Sequence, residues 1–310
     1  MRKLLTALFL LAAPVVAGEY PWSDDVPAEI AATALHPDQV LDETPCDWRP
    51  VVKSIFAPQA EECRTAREAV LRIASNIGAT TGVYYTPERR KHNMNALEAL
   101  SEKKVSCTGQ SILLTCALRS VDIPARAVGI LCWNHVQGNH TWVEAWFEGA
   151  WHMIEFNEKD FNTGWVMENI GMLNTCNPVQ RIKAANPAGQ HWWFPLNGKS
   201  RTNFKADDVT ERYTELAREW YICNGMDAST QRLMVNVRDR REQAPVLELV
   251  DRKGIVISAG RLPSLRDDMR YFTRLELPRS GEYYLRLKGE QKHIPIRATE
   301  APVQIISLNY

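Results

Sequence analysis

Cys107 directly follows Ser106 and opens an apolar segment, Ser106-Cys-Thr-Gly-Gln-Ser-Ile-Leu-Leu-Thr-Cys-Ala-Leu-Arg-Ser120. Ser106 is a natural N-cap, so the segment reads as a buried helix with Cys107 in its first turn. A helix N-terminus carries partial positive charge and unpaired N–H groups, which favour a thiolate and can stabilise an oxyanion. Taken alone, a cysteine is more often a small buried hydrophobe or half of a disulfide. A nucleophilic thiol also needs an imidazole base, itself held by a third group.

His140 supplies the imidazole at the start of Asn139-His-Thr-Trp-Val-Glu-Ala-Trp-Phe147, and Trp151-His-Met-Ile-Glu155 returns after Glu148-Gly149. A two-residue turn sets Trp142 opposite Glu155 and His140 opposite Asn157. Glu155 then shares a sheet face with His140, one diagonal step away, where it can accept the imidazole N–H. Glu158 falls on the other face; a three-residue loop would exchange the two carboxylates. The hairpin therefore points to Cys107, His140 and Glu155 as a catalytic set. The oxyanion donor stays open: the Cys107 backbone N–H is one candidate, and Gln110 or Asn95 are side-chain candidates.

The elements that must position these groups are legible in outline. Gly18 to about Pro58, rich in Pro, Asp and Glu, reads as an extended lead-in lying over the main domain. A helix follows over Ala60–Ile77, with Ala66, Ala69, Val70 and Ile73 at helical spacing and Gly78 as a stop. Asn95–Leu100 is a short second helix before the Cys107 segment. Strands are expected at 127–133, 141–147 and 150–156, and residues 160–207 read as loop-like around Trp192-Trp193-Phe194. Asp207-Asp208 opens a helix to about Ile222. From about Leu233 short strands recur at 245–250, 254–258, 271–277, 282–287, 293–296 and 303–308, the spacing of a small β-sandwich. The resulting domains are a leader (1–17), the lead-in (18–58), an α+β domain (59–230) and a β-sandwich (231–310).

Three stretches in order, Ser106-Cys-Thr-Gly-Gln-Ser, then Ala117-Leu-Arg-Ser-Val-Asp-Ile-Pro-Ala-Arg126, then Asn139-His-Thr-Trp-Val-Glu-Ala-Trp with Gly149-Ala-Trp151, resemble the bacterial transglutaminase-like superfamily. The resemblance spans about Ala66 to Trp165. It implies a papain-like fold with a Cys–His–Asp triad, with Cys107 as nucleophile and His140 as base. Glu155 stands four residues after Trp151, where the family usually has Asp. The implied chemistry is acyl transfer through a thioester, resolved by water in a peptidase or amidase and by an amine in a transglutaminase. Hydrolysis of peptide, protein or cell-wall material is the preferred reading, with no cofactor. A catalytically inactive binding or adhesion module on the same fold is the alternative.

Composition sets outer limits. The 310 residues carry 37 Lys+Arg against 37 Asp+Glu, and 45% are hydrophobic. That apolar fraction excludes a mainly disordered chain, and the balanced charge gives no broad phosphate-tracking surface for nucleic acid. Arg2, Lys3, the apolar run Leu4–Ala13 and Val15-Val16-Ala17 read as an export signal cut before Gly18, placing the mature protein in the periplasm or outside the cell. No later stretch approaches the ~18 uninterrupted apolar residues of a spanning helix. The C-terminal β-domain offers a surface for a protein or carbohydrate partner.

Seven cysteines leave six after Cys107 is set aside. Disulfides are expected in an oxidising compartment, with Cys46–Cys63 first and Cys132–Cys176 second, and with Cys116 as a free apolar residue. Cys132, His135, His140 and His152 raise a metal site as a rival. Their spacing lacks a second close pair, and His152 points away from the His140 face, so no metal is expected. Arg126 is read as a structural ion-pair partner, and the Asn139-His140-Thr141 sequon as unused.

Overall fold

The structure is a computed structural model, and it describes residues 19–133, 138–193, 204–223, 229–265, 267, 272–300 and 303–309. The leader 1–17, His135 and Phe194 lie outside the described residues.

The N-terminal segment is more helical than its composition suggests. It forms α1 (Ala28–Ala34) and α2 (Arg49–Ala60). In α2, Val52, Phe56 and Ala60 recur at i, i+4 and i+8 and are fully buried. The helix expected to begin at Ala60 instead begins at α3 (Ala66–Thr81), where the Thr65 side chain caps the Glu68 N–H. Before α1, Trp22 Nε1 donates to the Val121 carbonyl at 2.9 Å. The Arg119 guanidinium reaches back to the carbonyls of Ala34, Pro37 and Gln39.

No disulfide is formed among the described residues, so the expected Cys46–Cys63 and Cys132–Cys176 pairs are not present. Two of these thiols are engaged locally instead. Cys63 Sγ donates to the Gln59 carbonyl at 3.3 Å and Cys132 Sγ to that of Trp133 at 3.4 Å. Cys116 is buried in the core.

A short parallel pair follows, β1 (Tyr84–Tyr85) with β2 (Lys104–Val105), with α4 (Ala96–Glu102) between them. Then comes α5 (Cys107–Arg119), whose Ser106 N-cap accepts from the Gly109 N–H at 2.9 Å. Ile112, Leu113, Leu114 and Leu118 of α5 are fully buried. Each contributes about 1.5–3 kcal/mol of burial.

The helix packs on an antiparallel sheet built from β3 (Ala125–Ile130), β4 (His140–Phe147) and β5 (Ala150–Ile154). Beyond α6 (Gly164–Ile170), three short strands extend it: β6 (Ile182–Ala185), β7 (His191–Trp192) and β8 (Lys205–Asp208). The strand order is β5-β4-β3-β6-β8-β7. Residues 160–207, expected as loop, thus complete the sheet with strands too short to show a period. The helix α7 (Thr210–Cys223) closes this half.

The two faces of β4 divide the core. Val143, Ala145 and Phe147 face the α3 and α5 side, whereas Trp142 faces the side packed with residues of α6 and α7.

The remaining chain is all β: β9 (Thr230–Val237), β10 (Val246–Asp251), β11 (Val256–Arg261), β12 (Thr273–Pro278), β13 (Tyr283–Leu287), β14 (Ile294–Ile296) and β15 (Val303–Leu308). Sheets β11-β10-β13-β14 and β12-β9-β15 enclose Leu233, Val235, Leu247, Leu249, Leu275 and Leu285, giving a β-sandwich. The central strand β9 escaped sequence reading. Leu233, Val235 and Val237 face the sandwich core, while Met234 packs into the cluster around Val166 and Ile170. A strand covered on both faces loses its polar alternation. Phe272 and Val303 join Met234 in that shared cluster, and Arg274 and Arg232 both pair with the buried Glu168 of α6.

Candidate active site

Cys107 is the first residue of α5 and His140 the first of β4. Their elements are pinned beside each other by the Thr108 and Thr141 hydroxyls, which share a buried hydrogen bond of 3.0 Å. His140 is 5% exposed and pairs with Ile130 of β3.

The hairpin register is the one a two-residue turn dictates. Glu148 and Gly149 both have positive φ, at 51° and 75°, and the ladder runs from Phe147↔Ala150 to Val143↔Ile154. This is the turn geometry whose twist matches paired strands. The ladder ends at Ile154, so Asn157 does not pair with His140 as the expected register would have it. Asn157 instead turns into the left-handed region at φ 67°, and its side chain accepts from the Gly78 N–H at 2.9 Å. Its own N–H donates to the Ala74 carbonyl, so the segment after β5 is tied to α3.

That segment delivers Glu155 to the imidazole. His140 Nε2 and Glu155 Oε1 are 2.6 Å apart, and both side chains are largely buried. Glu155 takes Nε2, which leaves Nδ1, a buried nitrogen with no other hydrogen-bond partner, for the Cys107 thiol. Burial opposes the imidazolium, but the Glu155 carboxylate and the bond with Cys107 outweigh it and push the His140 pKa up to about 9. The Trp165 ring lies 4.5 Å from the imidazole and Trp142 lies 5.8 Å away, walling the ring against rotation.

A cleft of about 170 Å³ contains Cys107, Gln110, His140 and Glu155. Glu158 lines the same cleft, as do the aromatic side chains of Tyr85, Phe156 and Trp165. Of the proposed side-chain oxyanion donors, only Gln110 reaches it. Asn95 is spent elsewhere: its Oδ1 caps the Glu98 N–H and its Nδ2 donates to the Thr44 carbonyl. A larger cavity of about 370 Å³ lies at the hairpin turn, lined by Trp22, Arg67, Trp146 and Glu148. No Cys, Ser or His lines it, and Arg67 and Glu148 there are paired at 2.9 Å.

Sequence reading missed the three aromatic side chains, which come from segments with no mutual spacing to reveal them. It also missed the buried charge behind the site. Glu144 is fully buried and is paired with Arg126 at 2.9 Å and with Arg212. Burial favours the protonated acid, but the two guanidinium groups hold Glu144 below the usual carboxylate range. Arg126 is thus an ion-pair partner, as its sequence context suggested, and it also lies over the Trp151 ring at 4.0 Å. Tyr213 accepts a 2.7 Å hydrogen bond from Trp142 Nε1, which fixes the wall beside His140.

Among the described residues no group of three or more His, Cys, Asp or Glu side chains is placed to hold a metal. His152 stacks on Phe147 at 4.0 Å, on the other side of the hairpin.

A helix-borne thiol, an imidazole on the neighbouring strand and a carboxylate behind it define the class: a cysteine-based acyl-transfer fold. Residues 53–156 match the transglutaminase-like superfamily model, and all three residues lie within that stretch. The likeness to that superfamily covers this segment, about a third of the chain. Two solved structures are similar at low identity. One is a Cytophaga hutchinsonii protein provisionally assigned as a cysteine protease, with TM-score 0.36 and 15% identity over 59% of this chain and 65% of that one. The other is red sea bream transglutaminase, with TM-score 0.39 and 11% identity over 82% of this chain and 58% of that one. This chain therefore spans less than two thirds of the length of either. No curated protein gives a significant match.

Proposed function

We propose that the protein is a cysteine acyl-transfer enzyme that hydrolyses a peptide or amide bond through a thioester. The observation that carries this reading is the relay Cys107–His140–Glu155, with Glu155 2.6 Å from the imidazole. His140 accepts the thiol proton, and the thiolate attacks the amide carbon. The tetrahedral oxyanion meets the N–H groups at the start of α5 and the Gln110 side chain. The C–N bond breaks as His140 returns the proton to the leaving amine. Water then attacks the thioester carbon with His140 again as base, releasing the acid and the thiol. An amine in place of water would give a transpeptidation product by the same route. Glu155 acts through His140, holding its tautomer and stabilising the imidazolium.

The export signal expected over residues 1–17 fits this reading, with peptide or cell-wall material outside the cytoplasm as the substrate. The enzyme assignment is tested by Cys107→Ala. Turnover of a fluorogenic peptide-amide library should be abolished with an unchanged circular dichroism spectrum, and undiminished turnover would refute the nucleophile. Glu155→Gln should lower kcat by about 10²-fold or more and shift the acidic limb of the pH profile. A merely structural side chain would leave that limb in place.

A further inference from the structure

Glu158 shares the cleft with Cys107, yet no cation faces it. It makes no ion pair among the described residues, and no Lys or Arg lines the cleft. The charged groups around it add negative potential or cancel each other. Glu155 is committed to His140, and Asp160 is also acidic. Lys159 next in the chain is exposed and gives Glu158 only a hydrogen bond from its backbone N–H. Arg89 lies over the Tyr85 ring at 5.9 Å, but its guanidinium is engaged by the Thr86 carbonyl and by His92, and it does not line the cleft. Burial and the neighbouring Glu155 both raise the Glu158 pKa, as expected of a half-buried carboxyl that lacks a counter-ion.

The walls beside this carboxylate are aromatic. Trp165, Phe156 and the 41%-exposed Tyr85 line the same small space. A carboxylate flanked by ring faces is the chemistry that receives an organic cation, through charge and through the ring quadrupole. An acidic substrate group would meet two carboxylates there.

We propose that Glu158 and Trp165 form a cation-accepting subsite beside the thiol, selecting peptide or amide substrates with an ammonium or guanidinium group next to the scissile amide. The inference rests on Cys107 being the reacting thiol. It assigns Glu158 a selecting role distinct from that of Glu155, which is turned to the imidazole. Both carboxylates line the cleft, but only one is free to meet substrate.

The test compares methanethiosulfonates of opposite charge, trimethylammonium-ethyl and sulfonato-ethyl, on the full chain at low salt. Each forms a mixed disulfide with the thiolate and releases methanesulfinate, and peptide mapping reads modification at Cys107 alone. Rates are normalised to those with a small free thiol. The cationic reagent should react faster at Cys107, and Glu158→Gln should cut the cation-to-anion ratio by about fivefold or more. In the wild type the same ratio should fall toward unity at about 1 M salt, a reading that needs no variant. A Lys-containing peptide amide should likewise lose kcat/KM relative to its norleucine counterpart in Glu158→Gln. A ratio at Cys107 indifferent to both salt and Glu158→Gln overturns the subsite. Labelling of Cys107 indifferent to His140→Ala overturns the catalytic reading instead.

Discussion

The two halves of the molecule differ in how deeply they bury charge. Around the thiol, ionisable groups are taken out of water and matched: Glu144 with two arginines, and His140 with Glu155. The β-sandwich core cluster is aliphatic; Arg252–Glu282 and Arg261–Asp267 lie toward its surface, and Glu248, paired with Arg286 at 2.8 Å, is its one withdrawn carboxylate among the described residues. Burying charge is costly unless every partner is in place, so a protein concentrates it where orientation matters. The difference assigns chemistry to one half and packing to the other. The most deeply buried carboxylate that sandwich residues pair with lies at the junction, where Glu168 of α6 is 3% exposed and receives Arg274 at 2.7 Å and Arg232 at 3.3 Å. Because α6 also carries Trp165, the sandwich is linked to the wall of the His140 ring.

Substitutions can break this contrast, and the largest effect is expected at Glu144. Glu144→Ala leaves Arg212 without its carboxylate and Arg126 with Asp207 alone, and should cost about 3–5 kcal/mol in urea unfolding. A loss below about 1 kcal/mol would erase the distinction between the two kinds of ion pair. Glu168→Ala should cost less, about 1.5–3 kcal/mol, because Arg274 can turn to solvent. It should also separate the thermal transition of the sandwich from that of the site half and slow Cys107 labelling; a single unchanged transition would show that the junction is held by its apolar contacts alone. Arg252→Ala, at an exposed pair, should lie within about 0.5 kcal/mol of wild type.

The His140–Glu155 pair adds a pH signature. The folded protein binds the His140 proton more tightly than the unfolded chain, so the pair's stabilisation is complete below about pH 6.5 and is lost as pH rises through about 9. The stability difference between wild type and His140→Ala should therefore shrink from pH 6 to pH 9. A difference that grows over that range would mean that His140 is held neutral.

Local physics made much of the site readable. Ser106 before an apolar helix fixes Cys107 at an N-terminus, and a Glu148-Gly149 turn can hold positive φ at both residues, which sets the face on which Glu155 stands. What long-range packing contributes was not readable. Trp165 and Tyr85 converge from segments 80 residues apart, and β9 hides its period because both its faces are covered. The lead-in helices were masked by their Pro, Asp and Glu content, although Val52, Phe56 and Ala60 carried the helical spacing. Cysteine count alone could not foresee that Cys63 and Cys132 would each bond to a nearby carbonyl.

The most direct measurement is iodoacetamide alkylation of Cys107 from pH 5 to pH 9, resolved by peptide mapping, in wild type and in His140→Ala. An imidazolium held beside the thiol should make Cys107 react in wild type already at pH 5–6. In His140→Ala that acid reactivity should vanish, leaving the profile of an ordinary thiol with its midpoint near about 8.5. Identical profiles in the two proteins, both rising only near that midpoint, would contradict the thiol–imidazole pair.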